Sequence, residues 1–205
     1  MPTLYYVHDP MCSWCWAFRP TLLKLQEALP AGIEFKQLLG GLAQDTDQPM
    51  DPAMQQQLQE TWRRIQKKLP ETQFNFDFWH KTQPRRATYP ACRAVIAARR
   101  LAPAAENPMI LAIQQAYYLQ ARNPSDDAVL IQLASEIGLP EERFAELLQE
   151  PQTQSLLEEE FEQARRLGAH SFPSLVLQQG MGYWPIPVDY HSVDNILETL
   201  AMVLD

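Results

Sequence analysis

Apolar spacing changes period several times along the chain, and each change marks an element. Leu4-Tyr5-Tyr6-Val7-His8 is aromatic, branched or long apolar but for one His, the composition of a strand buried on both faces. After Asp9-Pro10-Met11 the period becomes helical: Phe18, Leu22, Leu25 and Leu29 recur on one side up to Pro30. Ala31-Gly32 then turns the chain into Ile33 to Leu39, an alternating strand closed by Gly40-Gly41. Two strands joined through a helix make a right-handed crossover and so a parallel pair.

From about Asp45 to Leu167 the pattern stays helical. Asp51 as N-cap and Pro52 at the first helical position open a helix whose apolar face is Met54, Leu58, Trp62, Ile65 and Leu69, stopped by Pro70. Further helices are predicted to start at Thr88-Tyr89-Pro90, Asn107-Pro108, Asn123-Pro124-Ser125, Pro140 and Gln152, with Gly138 and Gly168 as stops. Between the Asp51 helix and the Thr88 helix lies Phe74-Asn75-Phe76-Asp77-Phe78-Trp79, too aromatic for an idle linker. Either it pins a loop into the helical layer or it walls a substrate groove. The run Glu158-Glu159-Glu160 reads as a solvated helix face.

The tail returns to β structure. Ser174 to Gln178 and Tyr183 to Val188 flank Gln179-Gly180-Met181-Gly182, a hairpin-like turn, so these strands should be antiparallel. Pro185 and Pro187 confine the last strand to a sheet edge. A helix from about Ser192 to Leu204 ends the chain. The sum is an α/β fold: β-α-β, a helical insertion of about 120 residues, then β-β-α. Residues 1–44 and 168–205 are expected to form one domain and 45–167 the insertion domain.

Composition narrows the function classes. At 205 residues with 46% hydrophobic content the chain can bury a sizeable core. A formal net charge of −8 argues against a nucleic-acid partner, which favours a basic patch. No apolar run approaches the length of a membrane span. Met1-Pro2-Thr3 lacks a basic, cleavable leader pattern, and three cysteines without a disulfide framework fit a reducing compartment, so a cytoplasmic location is expected.

The chemistry sits at Cys12-Ser13-Trp14-Cys15, where a loop enters the first turn of a helix. A thiol there faces unpaired backbone N–H groups and the positive end of the helix dipole, both of which favour a thiolate. Cys12 gains most and is the expected nucleophile; Cys15, one turn inward, is the expected resolving thiol. A zinc site is the competing reading of a Cys-x-x-Cys. It wants a second pair, and the chain offers only the distant Cys92 and the four scattered histidines His8, His80, His170 and His191. No metal is therefore expected. Cys92 reads as a small buried hydrophobe, with a third redox thiol as the alternative. His8 and His170 are either surface residues or, as imidazolium beside Cys12, would stabilise its thiolate.

Here the chain resembles the thioredoxin superfamily, in particular its DsbA-like branch with an inserted helical domain. Three features carry the likeness: strand–Cys12-Ser13-Trp14-Cys15–helix; Pro20, five residues after Cys15; and Ser171-Phe172-Pro173 before Leu175-Val176-Leu177, which is similar to the family's cis-proline loop. Asp9-Pro10-Met11-Cys12 is particularly similar to the FrnE-like subgroup, an architecture shared with 2-hydroxychromene-2-carboxylate isomerases, here with an intact cysteine pair. The resemblance implies a thiol–disulfide oxidoreductase or isomerase acting on disulfide-containing proteins or peptides, with no bound cofactor and with glutathione or a thioredoxin system as redox partner. It implies substrate contacts at Trp14, Phe172 and Pro173, and makes Phe74, Phe76 and Tyr89 groove candidates. One position departs: the buried acid that the family carries six residues before its first cysteine is Tyr6 here, which leaves a water or Glu34 as proton acceptor for Cys15. Two other classes share the architecture's expectations: a glutathione-dependent isomerase or transferase, and a non-catalytic peptide-binding chaperone.

Overall fold

The structure is a computed structural model and describes residues 1–204. In chain order the elements are β1 (Thr3–His8), α1 (Ser13–Ala28), β2 (Glu34–Leu39), α2 (Pro52–Lys68), α3 (Phe78–Lys81), α4 (Tyr89–Leu101), α5 (Glu106–Tyr118), α6 (Asp127–Glu136), α7 (Glu141–Gln149), α8 (Pro151–Arg166), β3 (Ser174–Gln179), β4 (Gly182–Ile186) and α9 (Val193–Leu204). The chain divides into two compact units, one made of Met1–Gly40 and the residues from Glu160 onward, the other of Gly41–Glu159. Among the described residues no helix is long and apolar enough to cross a membrane.

The first unit is built on a four-stranded mixed sheet in the order β2-β1-β3-β4. β1 pairs parallel with β2, from Thr3↔Glu34 to His8↔Leu39, as the crossover through α1 requires. It pairs antiparallel with β3, and β3 with β4. β4 lies at the edge, where Pro185, having no N–H to give, disturbs no second neighbour. The β3–β4 turn passes through Gly180 at φ +59°, a left-handed conformation that a side chain would oppose.

Being central, β1 is covered on both faces, which is why Leu4 to Val7 at its middle is aromatic or aliphatic throughout. Leu4 and Tyr6 point into a cluster with Phe18, Leu22 and Leu25 of α1, Leu175 and Leu177 of β3, and Ile196 and Leu200 of α9. Tyr5 and Val7 point the other way, against Leu38, Val176 and the Ala164–Ala169 region at the end of α8. Each fully buried apolar side chain of this kind contributes about 1.5–3 kcal/mol.

The second unit is helical. Asp51 caps α2 as expected, its carboxylate accepting from Ala53 N (2.8 Å) and Met54 N (3.4 Å). Two details differ from the sequence pattern. Phe78–Lys81 forms a short helix inside the predicted loop. The helix expected directly at Asn123-Pro124-Ser125 begins at Asp127, because Asn123 Oδ1 takes Ser125 N–H (3.1 Å) and Ser125 Oγ donates to Ala87 O (2.7 Å), closing a turn ahead of it.

The aromatic stretch from Phe74 to Trp79 gathers around Trp62, which is 1% exposed. Phe74 stacks on Trp62 (4.9 Å, 18°) and meets Tyr118 edge-on (5.4 Å). Phe76 packs edge-on against Trp62 (5.6 Å), and the Arg63 guanidinium lies over its ring (5.2 Å). Phe74 is thus a core residue of this unit. Phe74→Ala should lower unfolding free energy by about 3–5 kcal/mol, read as a large drop in the thermal midpoint; a melt within a degree or two of the parent would contradict this packing.

Candidate active site

At the end of β1 a tight turn sets everything that follows. Asp9 Oδ1 accepts from Met11 N–H (2.7 Å) and Asp9 O accepts from Cys12 N–H (3.0 Å). The turn delivers Cys12, in extended conformation (φ −83°, ψ 116°), as the N-cap of α1. In that position its Sγ accepts the N–H of Cys15 (3.4 Å) as a capping serine hydroxyl would. The same Sγ donates to the carbonyl of Phe172 (3.4 Å), which belongs to the loop entering β3. The Phe172–Pro173 bond is cis, as the sequence predicts. Both Cys12 and Cys15 are free thiols; Cys12 is 6% exposed and Cys15 not at all.

The aromatic neighbours are held in place from behind. Trp14 meets Tyr190 edge-on (5.2 Å), and Tyr190 in turn meets Phe18 edge-on (5.7 Å). The Phe172 ring lies on Gly40, where a Cβ would fall 2.0 Å from it. Gly40 is required there for close approach, since its conformation is ordinary. So Phe172 gives its main chain to Cys12 and its ring to the cluster of Val7 and Leu38.

Beneath the cysteines lies a group of buried polar side chains from β1 and its turn. Burial first, then the charges of the nearby Cys15 and Cys12 sulfurs, push the Tyr6 phenol well above its ordinary value. Cys15 itself is pushed well up, chiefly by burial and then by its hydrogen bond to Cys12 and the charge there; the Asp9 backbone opposes this and the Asp9 charge adds to it. Asp9 and His8 are 0% and 1% exposed. The His8 ring stacks on Tyr6 (4.9 Å, 7°), and neither of its nitrogens has a hydrogen-bond partner among the described residues. Burial, with a smaller contribution from Arg19, lowers its pKa to about 3.

Several sequence expectations need correction. His8 is neither a surface residue nor an imidazolium beside Cys12, but a buried neutral ring. His170 is exposed. Glu34 cannot serve Cys15: it pairs with Thr3 at the far end of β1, about 16 Å of strand from His8, and its carboxylate is engaged by Thr3 (3.2 Å) and Lys36 (3.0 Å). Glu160 is no solvated residue either; it is 8% exposed and accepts from Leu39 N–H (2.7 Å) at the end of β2. Phe74, Phe76 and Tyr89 lie, as the sequence places them, in the helical unit, and Cys92 is the small buried residue its spacing predicts. The sequence reading missed Tyr190, Gly40 and the packing of Asp9. Only Asp9 left a local signal, the Asp-Pro turn immediately before the cysteines.

The chain is similar to several known proteins. The family model described as thioredoxin matches residues 5–182. A candidate protein disulfide isomerase from Nitrosomonas europaea is 29% identical, with a TM-score of 0.84 over 99% of this chain and 97% of that one. The cytosolic disulfide reductase DsbM from Pseudomonas aeruginosa is 26% identical, TM-score 0.78, over 98% of both chains, and its structure with GSH gives 25% and 0.76 over the same shares. Among curated proteins, the ClpXP adapter protein SpxH from Halalkalibacterium halodurans is 23% identical over 96% of this chain and 67% of its own length.

The buried His8 makes a pH prediction. Its folded pKa lies below the ordinary 6.5, so its contribution is intact above pH 6.5 and is lost as pH falls toward 3. By pH 4 the loss should be roughly 3 kcal/mol. Denaturant melts of the parent and His8→Phe between pH 7 and 4 should therefore converge or cross in favour of the variant, whereas parallel curves would show that His8 protonates freely in the folded state.

Proposed function

The chain belongs to the thioredoxin family, and on that premise we propose that it is a DsbA-like thiol–disulfide oxidoreductase that exchanges disulfides with protein or peptide substrates through Cys12 and Cys15. The observation that carries this reading is the position of Cys12 Sγ, fixed between the N–H of Cys15 and the carbonyl of Phe172. A backbone N–H aimed at sulfur is the partner a thiolate accepts, and the start of α1 adds the helix dipole.

The steps follow from that placement. Cys12 thiolate attacks one sulfur of a substrate disulfide, forming a mixed disulfide and expelling the other sulfur as thiolate. Cys15 passes its proton to the expelled substrate thiolate, attacks Cys12 Sγ and releases the second substrate sulfur, which takes a proton from solvent. Substrate leaves reduced by two electrons and the Cys12–Cys15 pair is left as a disulfide. Phe172 and Pro173 offer a main-chain edge on which an extended peptide can lie, and Trp14 supplies an apolar rim.

The net direction we assign is reductive, in the cytosol, with glutathione or another low-mass thiol reopening the Cys12–Cys15 disulfide. Its support is the likeness to DsbM, described as a cytosolic disulfide reductase and solved with GSH. A glutathione-dependent isomerase or transferase reading is weaker, since it has no use for a second, buried thiol at Cys15. The likeness to an adapter protein favours one rival, a peptide-binding role needing a surface but no thiol chemistry.

Single-turnover reaction with a disulfide-bonded peptide separates them. Cys15→Ser should accumulate a mixed disulfide at Cys12, found by mass mapping, and Cys12→Ser should lose turnover by about 10³-fold or more. A doubly substituted protein that keeps its full effect on the peptide client would instead support the adapter role.

A further inference from the structure

Resting on the disulfide-exchange reading, we propose that Tyr190 sets the substrate class of this site by fixing the Trp14 indole two residues after Cys12. Held there, the indole is an apolar platform that favours peptide disulfides with a large apolar side chain beside the attacked cysteine.

Trp14 needs such a support because of where it stands. It lies partly exposed in the first turn of α1, where no earlier turn of helix restricts its side chain. A ring free to change rotamer loses that freedom when a substrate side chain settles on it, and the loss weakens binding. Tyr190 removes the freedom in advance. It meets Trp14 edge-on (5.2 Å, 60°) and also meets Phe18, one turn further along α1, edge-on (5.7 Å, 78°). Its carbonyl accepts the hydroxyl of Thr21 in the next turn (3.0 Å). Trp14, Phe18 and Thr21 stand at i, i+4 and i+7, so one stripe of α1 holds both the ring and the main chain of Tyr190.

The turn that opens α9 fixes Tyr190 from the other side. Asp189 accepts the N–H groups of His191 (2.8 Å) and Ser192 (3.0 Å) on one oxygen and the side-chain amide of Asn195 (2.7 Å) on the other. These hydrogen bonds, that of Asn195 first, hold its carboxyl at about 2, so the acceptor is an anion wherever thiols react. Tyr190 itself packs against the buried cluster that includes Phe18, Ile196 and Leu200. A ring anchored on α1, on the α9 turn and in the core does not yield when Trp14 is loaded, which is what a recognition platform requires. A large apolar side chain laid on that platform leaves water; a polar one gains little there, and a small disulfide has nothing to place on it.

The test is stopped-flow oxidation of the reduced full chain by three disulfides. Two are peptides alike except for Phe or Ser beside the attacked cysteine, and the third, small one is hydroxyethyl disulfide. The parent should react with the Phe peptide about 10-fold faster than with the Ser peptide, the worth of a partly buried aromatic side chain. Tyr190→Ala should cut that preference to about two- or threefold, and Tyr190→Phe, which keeps the ring edge, should restore it. Tyr190→Leu keeps apolar volume without the flat edge and gives the same reading should Tyr190→Ala fold poorly. Fluorine NMR of protein labelled with fluorotryptophan reports the platform itself. The Trp14 resonance, assigned by its loss in Trp14→Phe, should shift or broaden in Tyr190→Ala and stay in place in Tyr190→Phe. A resonance unmoved in Tyr190→Ala would overturn the proposal, as would a parent with no preference. Rates that fall equally for all three disulfides, with the preference intact, would mean damage to the fold alone and overturn it too. If Cys15→Ser never forms a mixed disulfide with either peptide, the disulfide-exchange reading falls first; if it does and Tyr190→Ala keeps the preference, only the role of Tyr190 falls.

Discussion

The site depends on one turn. Asp9 receives two successive N–H groups, from Met11 on its side chain and from Cys12 on its carbonyl, and this ends β1 at the residue from which α1 can start with a cysteine as its cap. Were the turn one residue longer, Cys12 would lie outside the helix, and the N–H of Cys15 and the carbonyl of Phe172 would no longer converge on one sulfur. The central strand makes the turn rigid, because β1 is hydrogen-bonded on both edges and packed on both faces. Glu160 reinforces the same end of the sheet by taking the N–H of Leu39, the residue paired with His8.

Burying a strand on both faces also explains the chemistry beneath the cysteines. Side chains that alternate along β1 place Tyr6 and His8 on the face covered by α1, so two polar rings stack in a dry layer directly under the helix that carries Cys15. The consequence is an asymmetric pair. Cys12 has the backbone N–H of Cys15 on its sulfur and keeps a small exposed surface, whereas Cys15 is enclosed and pushed up by burial and by the neighbouring charges.

Much of this was legible before any coordinates. Period changes at Asp9, Pro30 and Gly40 marked β1, α1 and β2, and Pro185 marked the edge strand, because these are local consequences of backbone geometry. Cys12, Cys15 and Pro173 were legible because their chemistry is tied to short motifs. What the sequence concealed was every choice made by distant packing. Glu160 looks like its neighbours Glu158 and Glu159, and only the open end of β2 distinguishes it. His8 reads as a surface residue or an imidazolium beside Cys12, and only the packing around it makes it a buried ring. Phe74 reads equally well as groove wall or core, and Trp62, twelve residues earlier, decides its ring position. Tyr190 has no motif at all; it matters because Trp14 and Phe18 need an aromatic edge to lean on.

The claim on which the rest stands is that Cys12 and Cys15 form one redox couple to which Cys92 does not belong. A redox titration in glutathione buffers, with acid quenching, alkylation of free thiols and peptide mapping, measures this directly. The Cys12–Cys15 disulfide should appear as a single two-electron transition while Cys92 stays a thiol at every potential that leaves the fold intact. A transition that consumes Cys92, or a Cys12–Cys15 pair that never closes under oxidising buffer, would contradict it.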